Sequence, residues 1–259
     1  MDKVFAGITT NQEFNQNADQ SVLYDNANRA LVGRLNYDYA GKYIAEFAFR
    51  HEASSLFPKE TRWGFFPSVS AAWRLSEESF MENTTDWLSN LKLRASYGTT
   101  GNDLDLSKDP IDKITAFSYL QKYNTGGTYV FGSNLANTIV AGDTPNPTLT
   151  WATSTTYNGG LDFGFFNNRL SGTLDVFYRK EVDILGPRTV TLPSTYGQAL
   201  APENYAERSW RGGELALTWM DKAANGAIDY SAYVNLGFAR DRWDVLDVSA
   251  TYQEGGNLY

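Results

Sequence analysis

The sequence predicts an all-β protein with antiparallel strands, and three observations support this. Apolar and polar residues alternate with a period of two along most of the chain, as in strands with one apolar face. No apolar run reaches the roughly 18 residues of a membrane-spanning helix, which excludes helical membrane proteins but not β-barrels. Short and long connections alternate strictly. Together these patterns predict an antiparallel transmembrane β-barrel segment of about eight strands with long extracellular loops.

The first predicted hairpin joins residues 31–39 to residues 43–50. Ala40-Gly41-Lys42 lies between them and is short enough for a tight turn. One set of alternate positions is charged or polar, and the other is apolar or small. The apolar set comprises Leu31, Gly33, Leu35, Tyr37, Tyr39, Tyr43, Ala45, Phe47 and Phe49.

Two further strands are predicted at residues 68–75 and 91–97. In both, aliphatic or aromatic residues alternate with Ser, Lys or Arg, which again separates an apolar face from a polar face. The connector at residues 76–89 is rich in Ser, Glu and Asn. Its length leaves room for one helical turn.

The last two hairpins have the same pattern. The third pairs residues 150–164 with 169–180 and turns at Asn167-Asn168, two residues that tolerate the positive φ of a type I′ turn. The fourth pairs residues 215–219 with 228–238. The chain is therefore predicted to form four hairpins.

The long connections define the predicted organisation of the chain. Segments 52–65, 99–149 and 181–209 are rich in Gly, Pro, Asn, Asp and Thr, and two of them exceed the usual loop length of a compact domain. We expect one partial barrel domain over residues 1–259. Within it, residues 1–28 form a loop and lead-in, residues 29–240 the strands and loops, and residues 241–259 the start of the next loop.

Aromatic residues cluster near both ends of the predicted strands, with Leu, Ala, Gly and Val between them. Membrane barrels carry such aromatic bands at both interfaces. Two alternatives remain open: a soluble carbohydrate-binding β-sandwich, whose core these aromatics would fill, and an OmpA-like barrel closed by about eight strands. The aromatics are Tyr37, Tyr39, Tyr43, Trp73, Phe163, Trp219 and Tyr230 near the short turns, and Tyr97, Trp151, Tyr178 and Phe238 near the long loops.

Composition argues against several classes of function. The chain has 30 acidic and 22 basic residues and a net charge of -8, which predicts no nucleic-acid partner. It contains no cysteine and a single histidine, His51, which removes thiolate chemistry and His-rich zinc sites. His51 and Glu52 are adjacent strand residues that point to opposite sides, so they do not predict a catalytic triad. We predict no enzyme activity, no catalytic or metal-binding residue and no cofactor.

Five stretches carry a resemblance to a known family and occur in the family's order. They are Arg62–Met81, which begins RWGFFPS, then Trp87–Gly98, Thr100–Asn102, Pro145–Trp151 (PNPTLTW) and Tyr157–Gly172. They resemble the SusC/RagA-type, TonB-linked (TonB-dependent) outer-membrane transporters of Bacteroidetes. The resemblance extends over about residues 25–240.

The resemblance implies a nutrient importer of the outer membrane. Members of that family form barrels of about 22 strands, filled by an amino-terminal plug domain. They import glycan or peptide fragments with a SusD-like surface lipoprotein, driven by the TonB complex. We accordingly expect this chain to be a middle section of the barrel, without plug domain or TonB box, in contact with outer-membrane lipid. The expected substrate is an oligosaccharide or a peptide.

Substrate contacts are expected from aromatic residues of the long loops, because aromatic rings offer large apolar faces for stacking. The aromatics of Trp63-Gly64-Phe65-Phe66-Pro67 are more simply interpreted as a structural corner between loop and strand than as a stacking platform. Each loop aromatic has the alternative role of anchoring its own loop. The candidate substrate-binding residues are Tyr119, Tyr123, Tyr129, Phe131, Tyr196 and Tyr205.

Overall fold

The structure is a computed structural model that describes residues 27–105, 112–114, 117–132, 134–189, 193–223 and 227–247. The predicted lead-in at residues 1–28 and the predicted loop at 241–259 lie mostly outside these described residues. Within the described ranges, no helix has the length and apolar character needed to cross a membrane.

The dominant feature is one antiparallel sheet of eight long strands, which confirms the predicted fold class. The strands of the described residues are β1 Asn28–Tyr39, β2 Tyr43–Ser54, β3 Trp63–Arg74, β4 Leu88–Asn102, β5 Leu104–Asp105, β6 Asp112–Lys113, β7 Tyr123–Phe131, β8 Asn134–Ala141, β9 Ala152–Phe165, β10 Leu170–Gly186, β11 Glu203–Ala223 and β12 Ile228–Val245. The long strands follow the order β1-β2-β3-β4-β9-β10-β11-β12. Each one therefore lies beside the next long strand of the chain.

The register places the predicted apolar residues beside one another. Leu35 pairs with Phe47, Phe47 with Val69, Val69 with Tyr97, and Tyr97 with Tyr157. We call this side the apolar face and the opposite side the polar face. Leu35 is 68% exposed, so the apolar face is not covered by a second layer of described residues. A β-sandwich would bury that face, and the fold therefore disfavours the soluble alternative.

The sheet is open at both edges. In the described part of the chain, β1 pairs only with β2, and β12 pairs only with β11. These strands do not close an eight-stranded barrel, which argues against the OmpA-like alternative. The arrangement is that of a section of wall, with polar and apolar faces on opposite sides.

Several strands extend further than the sequence predicts. β10 reaches Gly186, β11 begins at Glu203 and β12 continues to Val245. Much of the predicted loop at 181–209 is thus strand. In β10 the register with β11 shifts between Glu181 and Ile184 and again between Ile184 and Leu185, so the period-two alternation is broken while the strand pairing continues. Strand ends predicted from the point where the alternation stops therefore lie short of the observed strand ends.

The short turns are clearly defined. Ala40 and Gly41 both have positive φ, and the Lys42 amide donates to the Tyr39 carbonyl at 3.0 Å, as in a type I′ turn. The predicted type I′ turn at Asn167-Asn168 is confirmed, since both residues have positive φ and the Arg169 amide donates to the Phe166 carbonyl at 3.2 Å. Phe166 also has positive φ, and residues 166–169 all lie in the connection between β9 and β10. The connector at 76–89 contains two short 3₁₀ helices, Leu75–Glu77 and Ser79–Thr84.

The longest predicted loop, residues 99–149, contains further strands. β7 and β8 form a separate two-stranded hairpin, and β5 and β6 pair with each other beside β10. Val130, Phe131 and Ile139 have high strand propensity, but the pattern was hidden by Gly126-Gly127. The register shift between Thr125 and Thr128 marks a bulge at these glycines, which interrupts the alternation.

Candidate functional site

The polar face carries an ion-pair network that spans three strands. Arg94 on β4 donates from Nε to Asp162 Oδ1 on β9 at 2.9 Å. Its two terminal nitrogens donate to both carboxylate oxygens of Asp175 on β10, at 3.1 and 2.9 Å. Lys92 lies 3.7 Å from Asp162 and adds a second cation. Charge on this face is therefore held in place by partners and remains in contact with solvent.

Gly160 makes the Arg94–Asp175 contact possible. It lies on β9, directly between β4 and β10, opposite Arg94 on one side and Asp175 on the other. A Cβ at this position would lie 2.6 Å from Arg94 Cζ and 2.7 Å from Asp175 Oδ1. Because a Cβ would occupy the space of the guanidinium, only glycine lets the side chains meet across the middle strand.

The family-like stretches at Arg62–Met81 and Pro145–Trp151 meet in a buried cluster at the long-loop end of the sheet. Phe66 packs edge-on against Trp151, with ring centroids 5.6 Å apart, and the indole N–H donates to the Arg62 carbonyl at 3.0 Å. Trp151 was predicted to belong to the outer aromatic band, and that is wrong because its ring is buried here. The cluster comprises Leu56, Phe57, Phe66, Ile114, Leu149, Trp151 and Leu185.

The position of the Phe66 ring explains the glycine two residues before it in the sequence. A Cβ on Gly64 would lie 2.3 Å from Phe66 Cζ, and one on Gly101 would lie 2.1 Å from it. The ring therefore lies flat on the backbone of β3 and β4. Trp63 points to the apolar face and stacks on His51 with centroids 4.6 Å apart. The stretch forms a structural corner, in agreement with the simpler interpretation.

Two asparagines fix the loop that leads into β9. The Asn204 side chain accepts from the Thr150 amide at 3.1 Å and donates to the Thr150 carbonyl at 2.9 Å and to the Asp183 carbonyl at 2.8 Å. Asn146 donates to the Pro202 carbonyl at 2.9 Å. These bonds tie the end of the longest loop to β10 and to the start of β11.

Three of the six predicted substrate residues lie on the β7–β8 hairpin. Tyr129 and Phe131 occupy alternate positions and share one face, whereas Tyr123 lies on the other side of the bulge. Phe131 is 76% exposed, and Tyr123 and Tyr129 are also exposed. The hairpin therefore presents aromatic surface to solvent. The exposed surface also includes Leu135 and Ile139, which are absent from the predicted site although their strand propensity is a usable signal.

The other three predicted residues are dispersed. Tyr119 is half-buried and packs near Phe117, with centroids 6.3 Å apart, and Tyr196 is exposed in the 3₁₀ helix Ser194–Tyr196. The Tyr205 hydroxyl donates to the Pro187 carbonyl at 3.0 Å. None of the six described side chains forms a ring contact with another of the six. Substrate binding by each of them stays a prediction.

Tyr205 has the clearest structural role among them. The Arg188 guanidinium lies 3.8 Å from its ring centroid, and the Asp247 amide donates to its hydroxyl at 3.2 Å. Asp247 in turn accepts from the Thr189 amide and hydroxyl, which lowers the pKa of the carboxyl. Tyr205 thus holds the segment after β10 against the segment after β12.

His51 and its neighbours do not assemble a catalytic arrangement. His51 Nδ1 lies 3.2 Å from the Gly64 carbonyl, while Glu52 pairs with Arg50 on the opposite face. The described residues contain no group of three or more His, Cys, Asp and Glu side chains placed to hold a metal ion. The chemistry that this geometry offers is recognition by aromatic rings and hydrogen-bonded charge.

Comparison with known proteins agrees with this geometry. The model of the family described as "TonB dependent receptor-like, beta-barrel" matches residues 4–258. The chain is 35% identical over 184 residues to the TonB-dependent receptor SusC of Bacteroides thetaiotaomicron, covering 68% of this chain and 17% of that protein. It is 35% identical over 188 residues to the TonB-dependent receptor P3 of Formosa agariphila, covering 73% of this chain and 18% of that protein.

Solved structures give the same result. The RagAB peptide importer in the open-open state superposes with a TM-score of 0.72 at 27% identity, covering 85% of this chain and 22% of that chain. In the closed-closed state the TM-score is 0.67 at 25% identity, with 83% and 22% covered. The chain thus spans about a fifth of the length of the proteins that it matches. The predicted SusC/RagA-type resemblance is confirmed, and the chain belongs to the TonB-dependent receptor β-barrel family.

Proposed function

We propose that this chain forms part of the wall and extracellular mouth of a TonB-dependent nutrient importer in the outer membrane. The observation that carries the proposal is the single-layer sheet, with an exposed apolar face and a charged, hydrogen-bonded polar face. In a wide barrel the first face contacts lipid and the second lines a wet lumen. The matches to SusC and to the RagAB peptide importer support transport as the activity.

The proposed mechanism is binding and gating, without bond chemistry. The polar face is built from paired charges such as Arg94 with Asp175 and Arg34 with Glu46, the latter 2.7 Å apart. Paired charges keep the wall hydrated without offering a strong isolated site that would trap a passing substrate. Energy would come from the TonB complex, acting through parts of the protein outside this chain.

Substrate and partner are proposed from the family and from the exposed loops. An oligosaccharide or peptide would be received from a SusD-like surface lipoprotein at the long-loop end. The β7–β8 hairpin offers Tyr129 and Phe131 on one exposed face. Aromatic rings of this kind stack on sugar faces or apolar peptide side chains. We propose these two residues first, with Tyr119, Tyr123, Tyr196 and Tyr205 as the other candidates.

The first experiment is purification of the native protein from outer membranes in detergent, with its intact mass and co-purifying proteins measured. We expect a mass several times that of this chain, a requirement for detergent and a lipoprotein partner. A protein of this chain's own mass that is soluble without detergent would overturn the proposal. In that case the carbohydrate-binding β-sandwich would be the better account.

A further inference from the structure

A concave pocket lies on the polar face, near the long-loop end of the sheet. Its floor is a single cross-strand row of small residues, each paired with the next: Ala48, Ser68, Gly98 and Thr156. The pocket has a volume of 560 Å³, which lies in the range of about 300–1,000 Å³ that is usual for small-molecule sites. The small residues of this row therefore leave room for a ligand on the polar face.

The next row toward the long loops forms one wall of the pocket. There Val32 of β1 pairs with Arg50 of β2, and Arg50 pairs with Phe66 of β3. All three residues line the pocket. The wall thus offers apolar surface on both sides of one guanidinium group.

Arg50 is fixed in this wall by a two-point ion pair with Glu52. Its Nη2 donates to Glu52 Oε1 at 2.8 Å, and its Nε donates to Glu52 Oε2. The Glu52 side chain is 10% exposed and that of Arg50 is 52% exposed, so the guanidinium is the partner that faces solvent. A guanidinium has five N–H donors. Those not used by Glu52 have no further partner among the described residues and can donate to a ligand.

The polar groups of the pocket suit a ligand that is rich in hydroxyl groups. The side chains of Ser68, Thr100 and Thr156 line it, and their hydroxyls both donate and accept hydrogen bonds, as the hydroxyls of a sugar do. The guanidinium of Arg50 and the carboxylate of Glu52 neutralise each other in the wall. The pocket therefore favours an uncharged ligand.

A saccharide fits this position better than an extended peptide does. Peptides commonly bind to a sheet by adding a strand at an edge, where backbone groups are unpaired. The pocket lies instead in the interior of the sheet, where β2, β3 and β4 each pair on both sides. It offers side-chain hydroxyls in place of backbone groups, and the apolar surface of Val32 and Phe66 suits the C–H face of a sugar ring.

We propose that this pocket binds one unit of a neutral saccharide. Arg50 donates to its hydroxyls from the wall, and Ser68 and Thr156 contact it from the floor. The inference rests on the importer function proposed above and assigns a second contact point, separate from the β7–β8 hairpin, on the face that would line the lumen. The pocket is open to solvent, so a bound unit can be released into the lumen.

The test uses the native protein purified from outer membranes in detergent. Binding of maltohexaose, cellohexaose, mannohexaose and xylohexaose is measured by native mass spectrometry, beside a serine–glycine hexapeptide with blocked ends. We expect at least one saccharide to bind and the peptide not to bind. The double variant R50Q/E52Q should bind that saccharide about tenfold more weakly, because hydrogen bonds from a charged donor are lost. It removes both charges together, so no unpaired charge is left in the wall.

A second variant, Ser68→Val, fills the floor with methyl groups and should also lose saccharide binding. Each variant has a matched control on the same face whose residues do not line the pocket. R34Q/E46Q removes the other ion pair of β1 and β2, and Ser70→Val places the same side chain two residues further along β3. A loss in either control as large as in the variant that it matches would overturn the proposal.

The other outcomes separate this inference from the proposed function. If none of the four saccharides binds, or if both pocket variants bind them as the wild type does, only this inference is wrong. If the hexapeptide binds and is lost in the same variants, the saccharide assignment is wrong. A protein that is soluble without detergent overturns the proposed function and this inference with it. The unfolding temperature verifies that each variant is folded, and Ser68→Val with its control decides the test if R50Q/E52Q is not.

Discussion

Arg94 and Asp175 form a two-point ion pair across a strand that belongs to neither of them. The guanidinium on β4 reaches over Gly160 of β9 to bond both carboxylate oxygens on β10. Adjacent-strand pairs are the usual unit of sheet stabilisation. Here the contact spans two strand spacings and links three strands. Each strand contributes one residue to it: Arg94 from β4, Gly160 from β9 and Asp175 from β10.

Replacing Gly160 by valine should break this link. The new side chain would occupy the space of the Arg94 guanidinium, since even its Cβ would lie 2.6 Å from Arg94 Cζ. We expect a loss of about 1–3 kcal/mol in the free energy of unfolding, the usual cost of overpacking. Thermal or urea unfolding in detergent measures it.

The control for this variant is Gly159→Val. Gly159 faces the opposite side, and a Cβ there would meet only Val176 Cγ2, at 3.7 Å. Its substitution should leave stability close to that of the wild type. Equal losses for the two variants would show that loss of glycine, and not loss of the ion pair, is responsible.

Truncating Phe66 to alanine should loosen the long-loop end. The ring is 7% exposed, packs against Trp151 and covers two glycines. Removal of a buried phenylalanine costs about 3–5 kcal/mol. We expect faster proteolysis of the loop before β9 together with a lower unfolding temperature.

Phe65→Ala is the neighbouring control, because that ring lies on the apolar face and is 57% exposed. A loss for Phe65→Ala as large as for Phe66→Ala would contradict the assigned core.

Glu78 should make stability depend on pH below the ordinary carboxyl range. It accepts hydrogen bonds from the Tyr43 hydroxyl at 2.7 Å and the Trp73 indole at 3.0 Å, which hold the pKa of its carboxyl below the usual value. A depressed carboxyl pKa stabilises the fold at pH values above the unfolded-state pKa. That contribution is lost as the pH falls through the folded-state pKa.

The unfolding midpoint in urea, measured between about pH 7 and pH 3, checks this prediction. The wild type should keep the Glu78 contribution down to about pH 4.5 and lose it progressively below. Glu78→Gln should be less stable near neutral pH, and its unfolding midpoint should fall less steeply than that of the wild type as the pH is lowered. Glu77→Gln, its neighbour in the short-turn connector, should resemble the wild type. If the unfolding midpoint of Glu78→Gln falls with acid as steeply as that of the wild type, Glu78 is not the cause of the pH dependence.

Serine substitutions on the β7–β8 hairpin test the proposed substrate contacts. Tyr129→Ser with Phe131→Ser should weaken binding of the transported oligosaccharide or peptide by about fivefold to tenfold, as expected for the loss of two stacking rings. Val130→Ser, on the other face of the same strand, should bind as the wild type does. Calorimetric titration of the native protein measures all three. Equal affinities throughout would direct the search to the remaining loop aromatics.

The two faces of the wall followed from the sequence alone. Period-two alternation assigned residues such as Leu35, Phe47 and Val69 to one face, and the register of the sheet places them side by side. This worked because alternate residues of a strand project to opposite faces, so one apolar and one polar face leave a period of two in the sequence. The alternation of short and long connections likewise predicted an antiparallel segment of about eight strands, and eight long strands form the sheet.

Other features required the tertiary structure. The strand ends toward the long loops, such as β10 after Glu181, lose the period-two alternation because the register with β11 shifts there. Tryptophan is typical of an aromatic interface band, yet Trp151 is buried. Its ring packs against Phe66 and its indole N–H donates to the Arg62 carbonyl, and both partners belong to a distant segment of the chain. The Arg94–Asp175 pair depends on which strands lie side by side. The local pattern of residues predicts which face of the sheet a residue occupies. Which residue it contacts on that face depends on the pairing of strands that are distant in the sequence.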